Sequence, residues 1–408
     1  MSERKDFDIA VIGCGPSGAI AARNAARKGV SIALFEEHPS VGLPQHCAGL
    51  ISVSGLRRLN VNVPADCILN RVKGATFYSP SGAFFSVSRK KPQAYVIDRP
   101  RLDQYFASEA QKGNVTLFPK SKVVSLKSGE KKTLKVFHGK ESFFDAQVII
   151  DAEGVRGKFV REMGLIPVSG GVIPGVQIEV NNAQINPDQV EMFFGNKLAP
   201  GFFAWIIPTG ENTARIGVGA HHHALRYLRE FIKNHPIASK RLSDAVPIKQ
   251  FGGSIILSGP IPKTYSDGFL VVGDAAGQVK PTTGGGVVMG GLCAQVAGEV
   301  AAEAVIEGNV NSGRLSAYQK EWRRLLSREF YLMRLARRLL NRMSDRNLDK
   351  LFKTIIKNDF PEVIEEVGDM DFESGVIKKL VFKPKLSASV LLNLLETFII
   401  GKKEEPKK

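Results

Sequence analysis

Phe7-Asp8-Ile9-Ala10-Val11-Ile12-Gly13-Cys14-Gly15-Pro16-Ser17-Gly18 decides the fold of this chain. The apolar run reads as a buried strand, and Gly13-x-Gly15-x-x-Gly18 turns out of it into an alanine-rich helix expected over Ser17 to Lys28. Gly29 ends that helix, and a second strand over Ser31 to Phe35 delivers Glu36 about twenty residues beyond the glycines. Strand, tight turn and helix in this order form a dinucleotide cradle. The helix N-terminal amides suit a pyrophosphate, and an acid at the end of the second strand suits a ribose. Gly13, Gly15, Ser17, Gly18 and Glu36 are therefore the expected contacts.

A second glycine signature answers the first. Phe269 to Val272 reads as a strand running into Gly273-Asp274-Ala275-Ala276-Gly277, and Pro281-Thr282-Thr283-Gly284-Gly285-Gly286 then opens a helix expected over Val287 to Val305. An ordinary turn with an N-cap aspartate is one reading of Gly273-Asp274. The other is a carboxylate beside the ribityl and pyrophosphate region of FAD, with the amides of Gly285, Gly286 and Val287 facing the flavin pyrimidine ring. There the helix dipole favours the negative charge of the reduced state. With both signatures present, the chain resembles the FAD-dependent enzymes of glutathione-reductase type, in the branch with a p-hydroxybenzoate-hydroxylase-like fold.

The resemblance implies an α/β chain with three parts. A discontinuous Rossmann-type FAD domain is expected over 1–59, 95–171 and 267–310. An inserted antiparallel-sheet substrate domain is expected over 60–94 and 172–266, where Gly74 to Tyr78, Phe84 to Val87 and Ala214 to Gly219 alternate apolar with polar residues. A helical C-terminal region covers 311–408. No internal repeat or long low-complexity linker interrupts this order.

Bulk properties bound the function. The 408 residues suffice for two or three domains. The four cysteines, Cys14, Cys47, Cys67 and Cys293, show no CxxC spacing and no disulfide framework, which argues against a zinc or iron–sulfur site. His221-His222-His223 is expected to be a polar loop rather than a metal cluster, because adjacent side chains diverge. The first strand starts almost at once, without a secretory pattern, so a cytoplasmic location is expected.

The formal net charge of +16 calls for a partner. Arg323, Arg324, Arg328, Arg334, Arg337, Arg338 and Arg342 alternate with Leu325, Leu326, Phe330, Tyr331, Leu335, Leu339 and Leu340 in the pattern of a basic amphipathic helix. Leu386 to Ile400 adds an apolar segment flanked by lysines, short and interrupted for a bilayer span. Peripheral attachment to an anionic membrane surface is one reading, and helices docked on their own domain are the other. Nucleic acid is not expected, since no binding motif accompanies the charge.

Two further stretches narrow the resemblance. Gln45-His46-Cys47-Ala48-Gly49-Leu50-Ile51-Ser52 is similar to the cysteine-containing segment of the geranylgeranyl reductases. Pro200-Gly201-Phe202-Phe203-Ala204-Trp205-Ile206-Ile207-Pro208, with Gly217-Val218-Gly219 downstream, is similar to their PxxYxWxFP…GxG motif. Phe203 stands where that family has tyrosine, and Ile207 where it has phenylalanine. The resemblance implies saturation of isoprenoid double bonds, with digeranylgeranylglycerol phospholipids of archaeal membranes as substrates. It also implies an external electron donor of undecided type: NAD(P)H, ferredoxin or deazaflavin.

Position by position, the resemblance places Cys47 and Ala48 beside the flavin, Arg99 on the cofactor, and the backbone of Val123 at the adenine. Phe202, Phe203 and Trp205 then line the substrate slot, and Cys47 is a candidate acid or redox switch, with a Cys47–Cys293 disulfide left open. Asp151-Ala152-Glu153-Gly154 followed by Arg156 resembles the segment closing the nucleotide domain. An aromatic monooxygenase or a halogenase would share the FAD motifs, and a lipid carrier retaining FAD structurally is a third possibility.

Overall fold

The computed structural model describes residues 4–381 apart from 359 and 373, so the lysine-flanked Leu386 to Ile400 segment lies outside the described residues. The chain opens with β1 (Arg4–Ile12), α1 (Pro16–Ala26) and β2 (Ile32–Phe35). Then come β3 (Leu50–Ser52), α2 (Val53–Arg58), β4 (Ile68–Val72), β5 (Gly74–Tyr78), β6 (Phe84–Ser88) and β7 (Ala94–Ile97). Next are α3 (Arg99–Gln111), β8 (Val115–Phe118), β9 (Lys122–Lys127), β10 (Lys132–His138), β11 (Lys140–Asp151) and α4 (Lys158–Glu162). The second insertion contains β12 (Val172–Asn181), β13 (Gln189–Phe193), β14 (Ala204–Pro208), β15 (Ala214–Gly219), α5 (Ala224–Asn234), α6 (Ala238–Arg241) and β16 (Val246–Ile256). The chain returns through β17 (Tyr265–Ser266), β18 (Phe269–Val271) and α7 (Val287–Ile306), and continues as α8 (Ser312–Arg342), α9 (Asp345–Lys357), α10 (Phe360–Val367) and α11 (Ser374–Val381).

The first sheet has the order β17-β18-β11-β1-β2-β8, with β9 and β10 branching from β11. β18, β11, β1, β2 and β8 run parallel. Ile12 pairs with Asp151 and with Phe35, and Asp151 pairs with Val271, so the carboxyl ends of the four central strands open onto one crevice. In doubly wound sheets this is where ligands bind.

Glycines set how closely the layers approach. α1 packs on α7, and a Cβ at Gly298 would lie 2.3 Å from the Ala21 carbonyl oxygen. Gly273, in the left-handed region at φ +64°, and Gly290 both face the Ser17 hydroxyl, 2.5 and 2.7 Å from where their Cβ atoms would be. The two glycine signatures of the sequence are therefore in direct contact. α7 is the one helix among the described residues long and apolar enough to cross a membrane, and it packs between α1 and α8 in the core of this domain.

The second sheet has the order β16-β12-β15-β14-β13-β5-β6 and is antiparallel except for the β13–β5 pair. Strand alternation gives it two apolar faces. Ala204, Ile206, Ile216 and Val218 pack under α5 with Leu228 and Phe231, while Phe203, Trp205 and Ile207 face the first domain. The boundary differs from the sequence expectation. Of the 60–94 stretch only β5 and β6 join this sheet, whereas β4 pairs with β7 in a small β3-β7-β4 sheet. Tyr265–Ser266 returns to the first sheet.

The Gly298 contact predicts a stability effect. Gly298→Ala is expected to cost about 1–3 kcal/mol through overpacking against the α1 backbone. A lowered thermal unfolding midpoint checks this, and an unchanged midpoint contradicts the close approach.

Candidate active site

Each glycine of the first signature has its own reason. Gly13 adopts φ +94°, and a Cβ there would lie 2.4 Å from the Ala152 carbonyl oxygen. At Gly18 a Cβ would lie 1.9 Å from the Gly13 carbonyl oxygen, so this position sets helix–strand packing. At Gly15 nothing lies within 4 Å. The backbone is there open to the crevice, and no side chain caps α1. Its first amides are free to meet a phosphate, with the helix dipole adding to the attraction.

Glu36, buried at the end of β2, accepts from the Cys14 amide at 3.2 Å and the His38 amide at 2.9 Å, and its Oε1 lies 2.7 Å from His38 Nδ1. It lines a recess of about 160 Å³ with Gly15, Cys47 and Arg99. Asp274, in the turn after β18, lines the cavity between the domains; desolvation there pushes its carboxyl up and Arg99 opposes the shift. Arg99 grips Asp103 with two bonds of 3.1 Å and also interacts with the Cys47 thiol. Three hydrogen bonds fix the turn that carries Asp274. The Gly273 amide donates to Gln278 Oε1 at 2.9 Å, Gln278 Nε2 donates to the Tyr318 hydroxyl at 2.8 Å, and that hydroxyl donates to the Val271 carbonyl at 2.8 Å.

The Gln45–Gly49 segment spans the two domains and is pinned from the second sheet. Lys249 donates to the Gln45 side chain at 3.0 Å, Gln177 Nε2 to the His46 carbonyl at 3.3 Å, and Arg215 to the Ala48 carbonyl at 2.8 Å and the Ile97 carbonyl at 3.0 Å. The Gly49 amide donates to Cys47 Sγ at 3.4 Å. Cys47 is half-buried and free, and Cys293 is a free thiol in the first core, so no Cys47–Cys293 bond is formed.

A cavity of about 1310 Å³ lies between the domains. Phe202 and Phe203 stack with ring centres 4.0 Å apart, and Phe203 meets Trp205 edge to face at 6.0 Å. Gly217 sits opposite Trp205 in the strand register. A Cβ there would lie 2.3 Å from the indole, so glycine lets the ring lie flat on the sheet. Across Gly217 stands Gln177. Its Oε1 and Trp205 Nε1 are buried with no hydrogen-bond partner among the described residues, a donor and an acceptor in the cavity wall.

The structure gathers most of the expected residues. Gly15, Ser17, Gly18, Cys47, Ala48, Arg99, Phe203, Trp205, Asp274, Gly285, Gly286 and Val287 all line the large cavity. Gly13 lies behind them and Glu36 in the adjoining recess. Val123 lines neither space: it is buried in β9, two residues beyond Ser121, whose amide donates to the Glu36 carbonyl at 2.7 Å. The histidine run holds no metal cluster among the described residues, and His221 instead packs against Gly201.

The basic helix is docked on its own domain, one of the two readings its sequence left open. Leu326, Phe330 and Met333 dock α8 on the first domain, and Arg337 faces inward. It donates to the carbonyls of Pro281 at 2.9 Å, Gly201 at 3.3 Å and Thr282, and its guanidinium lies 4.9 Å from the Phe202 ring centre. Arg337 thus ties the glycine loop to the aromatic segment. The amphipathic pattern counts Arg337 among the seven arginines of the stretch, and its spacing of four and seven from Met333 and Phe330 puts it on their face. Arg215 and Gln177 carried no sequence signal beyond their strand pattern.

A glycine cradle open at Gly15, uncapped helix amides, buried Glu36 and a cavity-lining Asp274 fit FAD. The fold and this site define an FAD-dependent oxidoreductase. Comparison with known proteins narrows the class. The model described as FAD dependent oxidoreductase matches residues 8–160, and the geranylgeranyl reductase catalytic domain matches residues 172–254. The digeranylgeranylglycerophospholipid reductase of Methanocaldococcus jannaschii is 33% identical over 95% of this chain and 98% of its own length. The digeranylgeranylglycerophospholipid reductase 2 of Methanothermobacter thermautotrophicus is 32% identical over 88% and 94%. The crystal structure of a geranylgeranyl bacteriochlorophyll reductase-like protein from Thermoplasma acidophilum superposes with a TM-score of 0.84 at 26% identity, covering 96% of this chain and all of that one. A flavin-dependent brominase shares the fold alone, at 19% identity and a TM-score of 0.71 over 94% and 99%. The chain belongs to the geranylgeranyl reductase family.

Glu36 gives the direct test of the cradle. Glu36→Gln weakens a charge-assisted acceptor worth about 1.5–3 kcal/mol, so the Kd for FAD is expected to rise about tenfold or more. A flavin-fluorescence titration reads it, and an unchanged Kd removes Glu36 from the site.

Proposed function

We propose that this chain reduces the isolated C=C bonds of geranylgeranyl chains, with digeranylgeranylglycerophospholipids as substrates. The observation that carries the reading is one continuous cavity wall, running from Gly284–Val287 past Cys47 and Ala48 to Phe202, Phe203 and Trp205. The relatives' names supply the substrate class.

Saturating one such bond takes a hydride at one carbon and a proton at the other. Reduced FAD supplies the hydride when bound, and an external donor, whether a nicotinamide, a ferredoxin or a deazaflavin, restores its electrons. The protein supplies the rest. Phe202, Phe203 and Trp205 exclude water and offer ring faces to a carbon gaining positive charge, worth up to about 2 kcal/mol when desolvated. The Cys47 thiol donates the proton. Its thiolate stands beside the Arg99 guanidinium and is reprotonated from water.

Delivery from an anionic membrane surface completes the reading. Arg324, Arg328, Tyr331, Leu335, Arg338 and Arg342 follow a three-and-four spacing along α8, and all are exposed. The same helix turns Ala336, Leu339 and Leu340 into the cavity. One helix therefore presents cations and apolar side chains outward and substrate wall inward, as a lipid-withdrawing edge requires.

Two experiments test these statements. Protein reduced with dithionite under anaerobiosis and given a geranylgeranylated glycerophospholipid is expected to add two hydrogens per double bond by mass spectrometry as the flavin reoxidises. Cys47→Ser is expected to keep its FAD but slow this step at least tenfold. No mass gain, with oxygen or halogen incorporated into an aromatic substrate once air and halide are supplied, overturns the reductase in favour of a monooxygenase or halogenase. Separately, cosedimentation with vesicles is expected with anionic and not with neutral lipid, and to fall with salt and in the double variant Arg328→Glu, Arg338→Glu. Equal binding to both vesicle types contradicts the membrane reading.

A further inference from the structure

Lys280 opens the glycine loop, and its surroundings are unusual for a lysine. Its backbone closes the loop on both sides: the Gly284 amide donates to its carbonyl at 2.8 Å, and its own amide donates to the Gly285 carbonyl at 3.1 Å. Its side chain then folds back along Gly285, placing Cε 2.6 Å and Nζ 3.3 Å from where a Cβ of Gly285 would stand. The ammonium is 9% exposed and pairs with Asp371 at 2.8 Å, a carboxylate 3% exposed. It also donates to the Met370 carbonyl at 2.8 Å.

Asp371 comes from the connection between α10 and α11, far from the loop in sequence, and that connection is itself fastened. Ser52 donates to Asp371 Oδ2, Arg58 pairs with Asp369 at 3.2 Å and lies 3.8 Å from the Phe372 ring centre, and Arg89 donates to the carbonyls of Glu365, Ile364 and Gly368. A buried ion pair costs more desolvation than an apolar pair of the same size, so it adds little to stability. Its position points elsewhere. Lys280 lines the cavity with Gly284, Gly285 and Gly286, on the side where the N-terminus of α7 concentrates positive potential.

We propose that Lys280 is an electrostatic positioning residue for the flavin, and that Asp371, supplied by the C-terminal region, sets how much of its charge the flavin experiences. The proposal rests on the FAD reading above. Two-electron reduction adds negative charge at the pyrimidine end, and a cation a few ångströms away favours that state while a carboxylate behind it moderates the effect. A charge within about 4–6 Å shifts such an equilibrium at least tenfold. For a two-electron couple tenfold corresponds to about 30 mV.

The test is the midpoint potential of the bound flavin, measured anaerobically at one pH on the full chain. Asp371→Asn is expected to raise the midpoint by tenfold or more in the ratio of reduced to oxidised flavin, and Lys280→Met to lower it. Removing one member of a buried pair can unfold a protein, so Lys280→Met combined with Asp371→Leu is measured alongside. This double variant is expected below the parent by a smaller amount, because the lysine is the member touching the loop. Midpoints unchanged from the parent, or single variants shifting in the same direction, overturn the proposal and leave the pair as a structural clamp. A parent chain that binds no FAD sinks the underlying reading instead, which keeps the two failures distinct.

Discussion

The close approach of α1 to α7 governs this structure. It requires glycine at Gly298 against the Ala21 carbonyl and at Gly273 and Gly290 around the Ser17 hydroxyl. Because these contacts leave no room for a side chain on the α7 side, residues separated by more than 250 positions in sequence converge on a single crevice. β18 can then pair with β11 beside β1, so the strand ends at Ile12, Asp151 and Val271 align. The same geometry puts the turn carrying Asp274 near the uncapped start of α1. That packing turns both signatures toward one crevice.

The second domain is fitted to the first by polar anchors as well as by the apolar cluster that Val72, Ala94 and Val96 form with Phe203, Trp205 and Ile207. Lys249, Gln177 and Arg215 hold the Gln45–Ala48 segment, and Arg337 ties Pro281, Thr282 and Gly201 together. Such contacts fix orientation, because a buried donor left without its acceptor is costly. They leave the space between the domains to apolar side chains, and a prenyl chain needs that space dry. Phe202 stacks on Phe203, Phe203 meets Trp205 edge to face, and Gly217, whose missing side chain lets the indole lie on the sheet, sets the place of Trp205.

Much of this was legible in the sequence where local rules operate. The turn at Gly13 to Gly18, the strand ending at Glu36 and the helix after Gly286 follow from spacing within about thirty residues. The pairing of β4 with β7 was not legible, because alternation identifies a strand but not its sheet, and β5 follows β4 after a single residue. Nor was the inward face of Arg337. A helix dense in arginine reads as uniformly outward until the carbonyls of Pro281 and Thr282 are placed beside it. The Lys280–Asp371 pair joins positions 91 apart, and no pattern in either segment announces the other.

The flavin and the prenyl chain are expected to meet in the crevice between the glycine loop and the aromatic sheet face. The most direct test is a crystal structure of the protein with FAD and a geranylgeranylated glycerophospholipid. The flavin ring is expected between Ala48 and Gly285, with a prenyl double bond between that ring and Trp205. A flavin bound away from both glycine signatures, or a lipid seated only on the outer face of α8, would contradict it.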